Sequence, residues 1–235
     1  YTAEEMQNVQ IGSAGRSYLS VLGKSAGVAG GGGNPSVHGA TIGENVYLID
    51  GVNTTDPVTG TFGLLTNFDA IDQVELTTGG FQAEYGWATG GYVNQVTKSG
   101  TNEFHGTFDG RYFDERFIED TAHFPGGSSQ EFRQLAVTLG GPVVKDKAWF
   151  FLGYEDNVTK IAGLPPAATR EFDGSSRLLK FTFQPHASHR IAIQYTADPR
   201  GFKEYQHGLE YLAMKYPRWV TLTTLDKLYG EDGND

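Results

Sequence analysis

The chain has 235 residues, 38% hydrophobic and 20% charged, with 28 acidic against 18 basic side chains and a formal net charge of −10. That balance, without a basic run, lacks the electrostatic footprint of a nucleic-acid binder, and the absence of cysteine removes disulfides, thiolate metal sites and cysteine nucleophiles. No run of about 18 apolar residues forms a transmembrane helix, although lipid-facing β-strands, apolar only at alternate positions, escape that criterion.

From the N-terminus, which does not open a charged-then-apolar signal peptide, "TAEEMQNV" reads as a short helix capped by Thr2 with Glu5 three residues on. "RSYLSVLG" reads as a second helix closed by Gly23. "NVYLIDGV", "DQVELTTGG" and "GYVNQVTKSG" are short buried strands ended by glycine turns. Composition then shifts: residues 1–100 hold 19 of the 32 glycines but 9 of the 30 aromatics and 12 of the 46 charged side chains. The expected organisation is an α+β domain over 1–100 and a second domain over 101–235.

Beyond Gly100 the hydrophobic period is two. Phe104, Phe108 and Tyr112 share one face against His105, Thr107, Asp109 and Arg111; Leu135, Val137, Leu139 and Val143 oppose Gln134, Ala136 and Thr138. Leu179, Phe181 and Phe183 oppose Lys180 and Thr182, and Ile191, Ile193 and Tyr195 oppose Arg190, Ala192 and Gln194. "AWFFLGYE" is aromatic on both faces. Tight turns at Lys145–Lys147 and Pro185–Ser188 alternate with expected long loops over Glu115–Gln130 and Lys160–Ser175. A transmembrane β-barrel has that asymmetry of connections; a soluble antiparallel sandwich with one wet face gives the same strand alternation.

"VYLIDGVNTTDP", followed by "FDAIDQVELTTGGFQAEYGWATGGYVNQVTKSGTNEFHG", resembles the plug of TonB-dependent outer-membrane receptors, particularly the Oar-like branch. "GRSYLSVLGKSAGV" and "LGGPVVKDKAWFFLGYE" look like the same branch, so the resemblance runs from about Thr2 to about Pro199. It implies an α+β plug domain followed by antiparallel transmembrane β-barrel strands, a partial barrel here: plugged transporters have about 22 strands, and about five candidates follow the plug. It also implies a Gram-negative outer-membrane location and plug-gated, energised uptake of an extracellular ligand. The implied partners are a TonB-type energy-transducing protein in the periplasm and outer-membrane lipid. No chemistry on the ligand, no cofactor and no nucleic acid enter that reading. A soluble β-rich binding or adhesion module is the alternative, and a carbohydrate-active enzyme would need a paired-carboxylate cleft, which the sequence does not assemble.

In relatives the loops matching Asn53–Asn67 and Phe81–Trp87 lie at the plug apex, which makes Asn53, Thr55, Asp56, Phe62, Tyr85 and Trp87 the candidate ligand contacts. Asp50, Gly51, Glu75, Gly86, Gly90 and Gly91 are the candidate structural residues of the plug. The glycines are expected to supply positive φ and missing side chains where the plug backbone nears strands. Many relatives carry Arg-Gly-Pro after the acidic strand; Thr78, Gly79 and Gly80 stand there instead, so a plug-to-barrel salt bridge through that arginine is absent, with Glu75 still available. "GKS" at Gly23–Ser25 fails as a phosphate loop because Tyr18 occupies the required upstream glycine position. His186 and His189 flank a turn, and Asp50, Asp56, Asp69 and Asp72 lack calcium-loop spacing, so no metal site is expected.

Overall fold

The computed structural model describes residues 1–8, 16–30, 35–79, 88–114, 129–164, 168–186, 188–206, 209–216 and 221–223. Helix α1 (Ala3–Asn8) begins where expected: the Thr2 N–H donates to Glu5 Oε2 at 2.8 Å and the Glu5 N–H to Thr2 Oγ1 at 3.3 Å. Each residue satisfies a donor that the first helical turn leaves orphaned. Helix α2 (Tyr18–Leu22) is capped by Ser17, which accepts from the Leu19 N–H, and Gly23 ends it. Strands β1 (Val28–Ala29) and β2 (Ser36–Val37) pair with each other. Strands β3 (Val46–Ile49), β4 (Val52–Asn53), β5 (Ile71–Thr77) and β6 (Tyr92–Thr97) form one sheet in the order β4-β3-β6-β5, with β3 and β6 parallel. The turn from β3 to β4 uses left-handed backbone at Asp50 (φ 49°) and Gly51 (φ 80°). Met6, Tyr18, Leu22, Tyr47, Phe68, Ile71, Val74 and Val93 form the core beneath this sheet.

The second sheet is antiparallel: β7 (His105–Asp114), β8 (Ser129–Val144), β9 (Ala148–Leu164), β10 (Ala168–His186), β11 (His189–Ala197), β12 (Arg200–Gln206), β13 (Leu209–Tyr216) and β14 (Thr221–Thr223). Strand β10 pairs β11 along its C-terminal half and β12 along its N-terminal half. β11 and β12 are thus one span interrupted at Asp198–Pro199. β13 and β14 pair with those two pieces in turn, so the eight strands make six spans rather than about five. The extra span lies after Arg200, where the sequence carries little recognisable pattern.

The expected long loop over Lys160–Ser175 is absent. β9 continues to Leu164 and β10 starts at Ala168, with Ser175 paired to Asp156 and Glu171 to Lys160. Polar and charged residues there mark strand that needs no apolar face, and reading them as loop confused polarity with irregularity. The tight turn at Lys145–Lys147 is present, with Asp146 in the left-handed region (φ 62°).

Along these strands the burial alternation is inverted relative to a soluble domain. Leu135, Val137, Leu139, Leu152, Leu179, Phe181, Phe183 and Ile193 are exposed, whereas Gln134, Thr138, Lys180, Thr182, Gln194 and Thr196 are buried on the opposite face.

The connection from the first domain to β7 runs close across the second sheet. A Cβ added at Gly100 would lie 2.2 Å from the Phe150 carbonyl oxygen and 2.9 Å from that of Gly141. Asn102 ties the connection to the Lys145–Lys147 turn: its Oδ1 accepts from the Asp146 N–H at 2.9 Å and from Trp149 Nε1 at 2.7 Å. At Gly90 and Gly91 only the missing side chain of the two expected reasons applies. Neither has positive φ, and an added Cβ would meet Asn45 Oδ1 at 2.5 Å and the Val37 methyls at 3.1 Å respectively, so both are held by packing inside the first domain. Gly86 lies outside the described residues.

Gly100→Ala should therefore destabilise the protein by about 1–3 kcal/mol, because backbone rather than a flexible side chain must give way. Gly79→Ala, where an added Cβ meets nothing within 4 Å, should change the urea midpoint little.

Candidate functional site

The inner face of the second sheet grips the first domain through buried polar contacts. Residues 63–70 run along the wall. The Leu65 N–H donates to Asp198 Oδ2 at 3.0 Å, and the Asn67 N–H donates to Ser176 Oγ at 3.0 Å, whose hydroxyl in turn donates to the Leu65 carbonyl. Asn67 Nδ2 donates to the Tyr154 carbonyl at 3.1 Å, and the Phe68 N–H reaches Glu155 Oε2 at 3.4 Å. Ala70, Phe151 and Leu178 form a small apolar cluster at this seam, and Gly153 makes room for Ala70. An irregular segment can be buried here only because its amides find partners on the wall.

Two charge clusters flank that segment. Lys180, on β10, donates to Thr97 Oγ1 at 3.0 Å and lies 3.4 Å from Asp50 Oδ1. Asp50 in turn accepts from the Thr97 N–H at 2.9 Å. The left-handed turn at Asp50 therefore points its carboxylate at both the exit of β6 and the wall. Arg16 places both terminal nitrogens on Asp69 and reaches Asp109 of β7 at 3.1 Å, with its guanidinium 5.1 Å from the Phe68 ring centre. Its side chain is 8% exposed and that of Asp69 5%, so this fork is desolvated.

The loop residues singled out from sequence have structural partners of their own. Asn53 Oδ1 accepts from the Thr55 N–H at 2.9 Å, and Thr55 Oγ1 accepts from the Tyr47 N–H at 2.9 Å. Asp56 Oδ1 accepts from the Val58 and Thr59 amides at 2.7 and 3.2 Å, closing the turn, and Phe62 packs edge-on against Tyr47 with centroids 6.2 Å apart. Burial raises the Tyr47 hydroxyl pKa from its ordinary value, and raises that of Tyr18 well above it, with Tyr47 and Asp198 adding to the Tyr18 shift. Both phenols stay neutral. Glu75 accepts from Gln73 Nε2 at 2.6 Å and Asn94 Nδ2 at 3.2 Å within the first domain, while the ion pairs to the wall come from Arg16 and Lys180. Gly51 donates its N–H to Asn94 Oδ1. Tyr85 and Trp87, with the rest of Phe81–Trp87, lie outside the described residues. Among the described residues no three His, Asp or Glu side chains come together as a metal site.

Residues 1–92 match the TonB-dependent receptor plug domain, and residues 96–193 match an outer membrane β-barrel domain. Over 213 residues the chain is 35% identical to the TonB-dependent transporter Oar of Myxococcus xanthus, covering 86% of this chain and 20% of that protein. The chain belongs to the TonB-dependent outer-membrane receptors, in the Oar-like branch. This is a family of transporters and receptors rather than of enzymes. Its place is the outer membrane of a Gram-negative cell. The siderophore receptor PirA of Acinetobacter baumannii shares the fold with a TM-score of 0.66 at 19% identity, over 86% of this chain and 31% of that one. The outer membrane transporter YddB of Escherichia coli does so with a TM-score of 0.66 at 17% identity, over 87% and 35%. The chain spans about a fifth of the length of the curated relative it matches.

Arg16, Asn67, Ser176, Lys180 and Asp198 carry the plug-to-wall contacts, with Asp69 bracing Arg16 from within the first domain, and none of them has a role there in the sequence analysis. The usable signal was the lone lysine on the polar side of "RLLKFTF". Arg16 looked like the first turn of a helix, but the helix starts after Ser17, which frees Arg16 to reach Asp69 and Asp109.

Arg16→Met should cost about 3–5 kcal/mol, since it leaves Asp69 buried without its cation, whereas Asp109 keeps Arg111 at 2.9 Å. Adding Asp69→Asn to that variant should recover part of the loss. Chemical denaturation of the three proteins measures both effects.

Proposed function

We propose that this chain is the plug and first barrel spans of a receptor for energised uptake, with the plug over 1–100 and barrel from 101. The observation that carries this reading is the wall that is polar within and apolar without. A soluble module would bury Leu139, Leu179 and Phe181; here they are exposed, while Thr138, Lys180 and Ser176 face a domain held by hydrogen bonds and ion pairs. That pairing suits an object that stays seated until pulled: many directional contacts, little greasy interface, and hydroxyls and amides that water can replace once the plug shifts. The exposed rows then face lipid. The energy source is a TonB-type protein acting from the side of the short turns, and the ligand enters from the other side.

Ligand contact through Asn53, Thr55, Asp56, Phe62, Tyr85 and Trp87 remains part of this proposal. Support comes from height in the wall: the loop leads into Leu65 and Asn67, which meet Ser176, four residues farther from the His186–His189 turn than the Lys180 contact. Asn53, Asp56 and Phe62 all shape the loop, so ligand affinity of their alanine variants is compared with their folding stability.

Joining Asn67→Cys to Ser176→Cys by a disulfide, in a chain otherwise free of cysteine, should stop accumulation of the native ligand by energised cells while surface binding persists, and a reductant should restore uptake. Continued uptake with the bond intact would sink the proposal. Val137→Arg and Phe181→Arg should each cost roughly 2–4 kcal/mol in lipid vesicles if these positions sit near the bilayer midplane. Unchanged vesicle stability in both would remove the lipid-facing assignment.

A further inference from the structure

The wall exchanges its polarity partway along its strands. Near the short turns the outward rows are apolar: Phe150, Phe181 and Ile193 in one register row, Leu139, Leu152 and Leu179 in the next; the third, Phe108, Val137 and Tyr154, already includes exposed Arg177. Farther along the same strands the outward rows become charged. Glu131, Lys160, Glu171 and Lys203 stand side by side across β8, β9, β10 and β12, with Glu171 3.8 Å from each lysine. Arg133 and Asp156 form a further outward pair. A face studded with ion pairs is wet, so this part of the wall stands clear of the hydrocarbon.

At that height the inner face turns aromatic. Phe113, Phe132, Thr159, Phe172 and Phe202 occupy one unbroken register row across β7, β8, β9, β10 and β12. The inward direction follows from the alternation: Thr182, Lys180, Leu178 and Ser176 are buried against the plug, and Phe172 has the same parity with no register shift between. Arg200, paired with Gly174 in this parity, bonds Asp198, which itself accepts from the Leu65 N–H of the plug. Phe172 and Phe202 pack with centroids 5.0 Å apart, yet Phe172 is 43% exposed. The row just below contains Gln134, Asn157 and Arg200, and the row just above Gln130, Ile161 and Arg170. The buried amide oxygen of Gln134 has no hydrogen-bond partner.

The geometry points to this inner row as a binding surface for an extended peptide segment bearing apolar side chains, resting on the receptor reading given above. Five strands at about 4.8 Å spacing make the row about 19 Å wide, more than a single planar ring covers. Phenylalanine offers no hydrogen bond, so the rings themselves are matched by apolar side chains. A peptide matches the layout. Its side chains meet the phenylalanines while its backbone carbonyls and amides reach the amide and guanidinium groups of the flanking rows, about 7 Å away at two residues per step. The plug segment at Leu65–Phe68 forms the floor beneath, through Asp198, Ser176 and Glu155.

The test uses the complete receptor in detergent and two fluorescein-labelled ten-residue peptides, one alternating Leu and Ser and one alternating Gly and Ser, with maltohexaose as a sugar competitor. Anisotropy should show the Leu/Ser peptide binding and the Gly/Ser peptide failing. Phe172→Ala combined with Phe202→Ala should weaken binding tenfold or more, as should Thr159→Trp, which fills the middle of the row. Phe108→Ala, on the outward face, should leave it unaltered. Equal affinity for both peptides, unaltered affinity in both inner-row variants, or displacement by maltohexaose overturns the inference. Phe172→Cys, treated on intact cells with a membrane-impermeant maleimide, separates the two readings. Labelling without peptide selectivity rejects the peptide and leaves the receptor standing; absence of labelling from outside rejects both.

Discussion

A sheet can bury a polar face only against something that answers its hydrogen bonds, and the rest of this structure depends on that condition. The inner wall presents Gln134, Thr138, Ser176, Lys180 and Gln194 where a soluble sheet would place its hydrophobic core. The N-terminal domain meets that wall with an irregular segment rich in backbone donors and acceptors at Leu65–Phe68, with the carboxylate of Asp50 and with the guanidinium of Arg16. The apolar energy that holds the plug together stays inside it, in the cluster around Tyr18, Tyr47, Phe68 and Val93. Wall and plug are therefore joined by directional contacts, while each keeps its own apolar surface for another purpose.

Charge placement follows from the same condition. Arg16 and Lys180 are two of the 18 basic side chains, and both lie in the seam, where a cation without a carboxylate would be untenable. Arg16 suits its site because a planar fork can hold both oxygens of Asp69 and still reach Asp109; Lys180, a point charge with three donors, suits a site offering Thr97 and Asp50 from different directions. The Lys180 cluster sits where the chain passes from plug into wall, and the Arg16 cluster grips Asp109 level with Ser176, so the seam is tied at both heights. The connection itself is held by Gly100 and Asn102.

Much of the architecture was legible in the residues. Thr2 with Glu5 gave the first helix, the period-two runs gave the strands of the wall, and the resemblance around "VYLIDGV" and "VNQVTKSGTNEFHG" gave the family. Lys160–Ser175 looked like loop because its strand residues are largely polar and charged, and the span after Arg200 lies past the reach of the family resemblance. The candidate site was only partly legible: Asn53, Thr55, Asp56 and Phe62 do form one loop, but sequence could not show that Asp56 closes its turn or that Phe62 leans on Tyr47.

The sequence by itself determined which residues alternate, where the caps and turns fall, and that one face of the long strands would be apolar, because those properties depend on neighbours a few positions apart. Only the tertiary structure decided which face looks inward and what answers it. Arg16 finds Asp69 and Asp109, Lys180 finds Asp50, and Phe113, Phe132, Phe172 and Phe202 come into one row through strand register. Register and docking join residues far apart in the chain, and a shift of one position would send every one of these side chains to the opposite face.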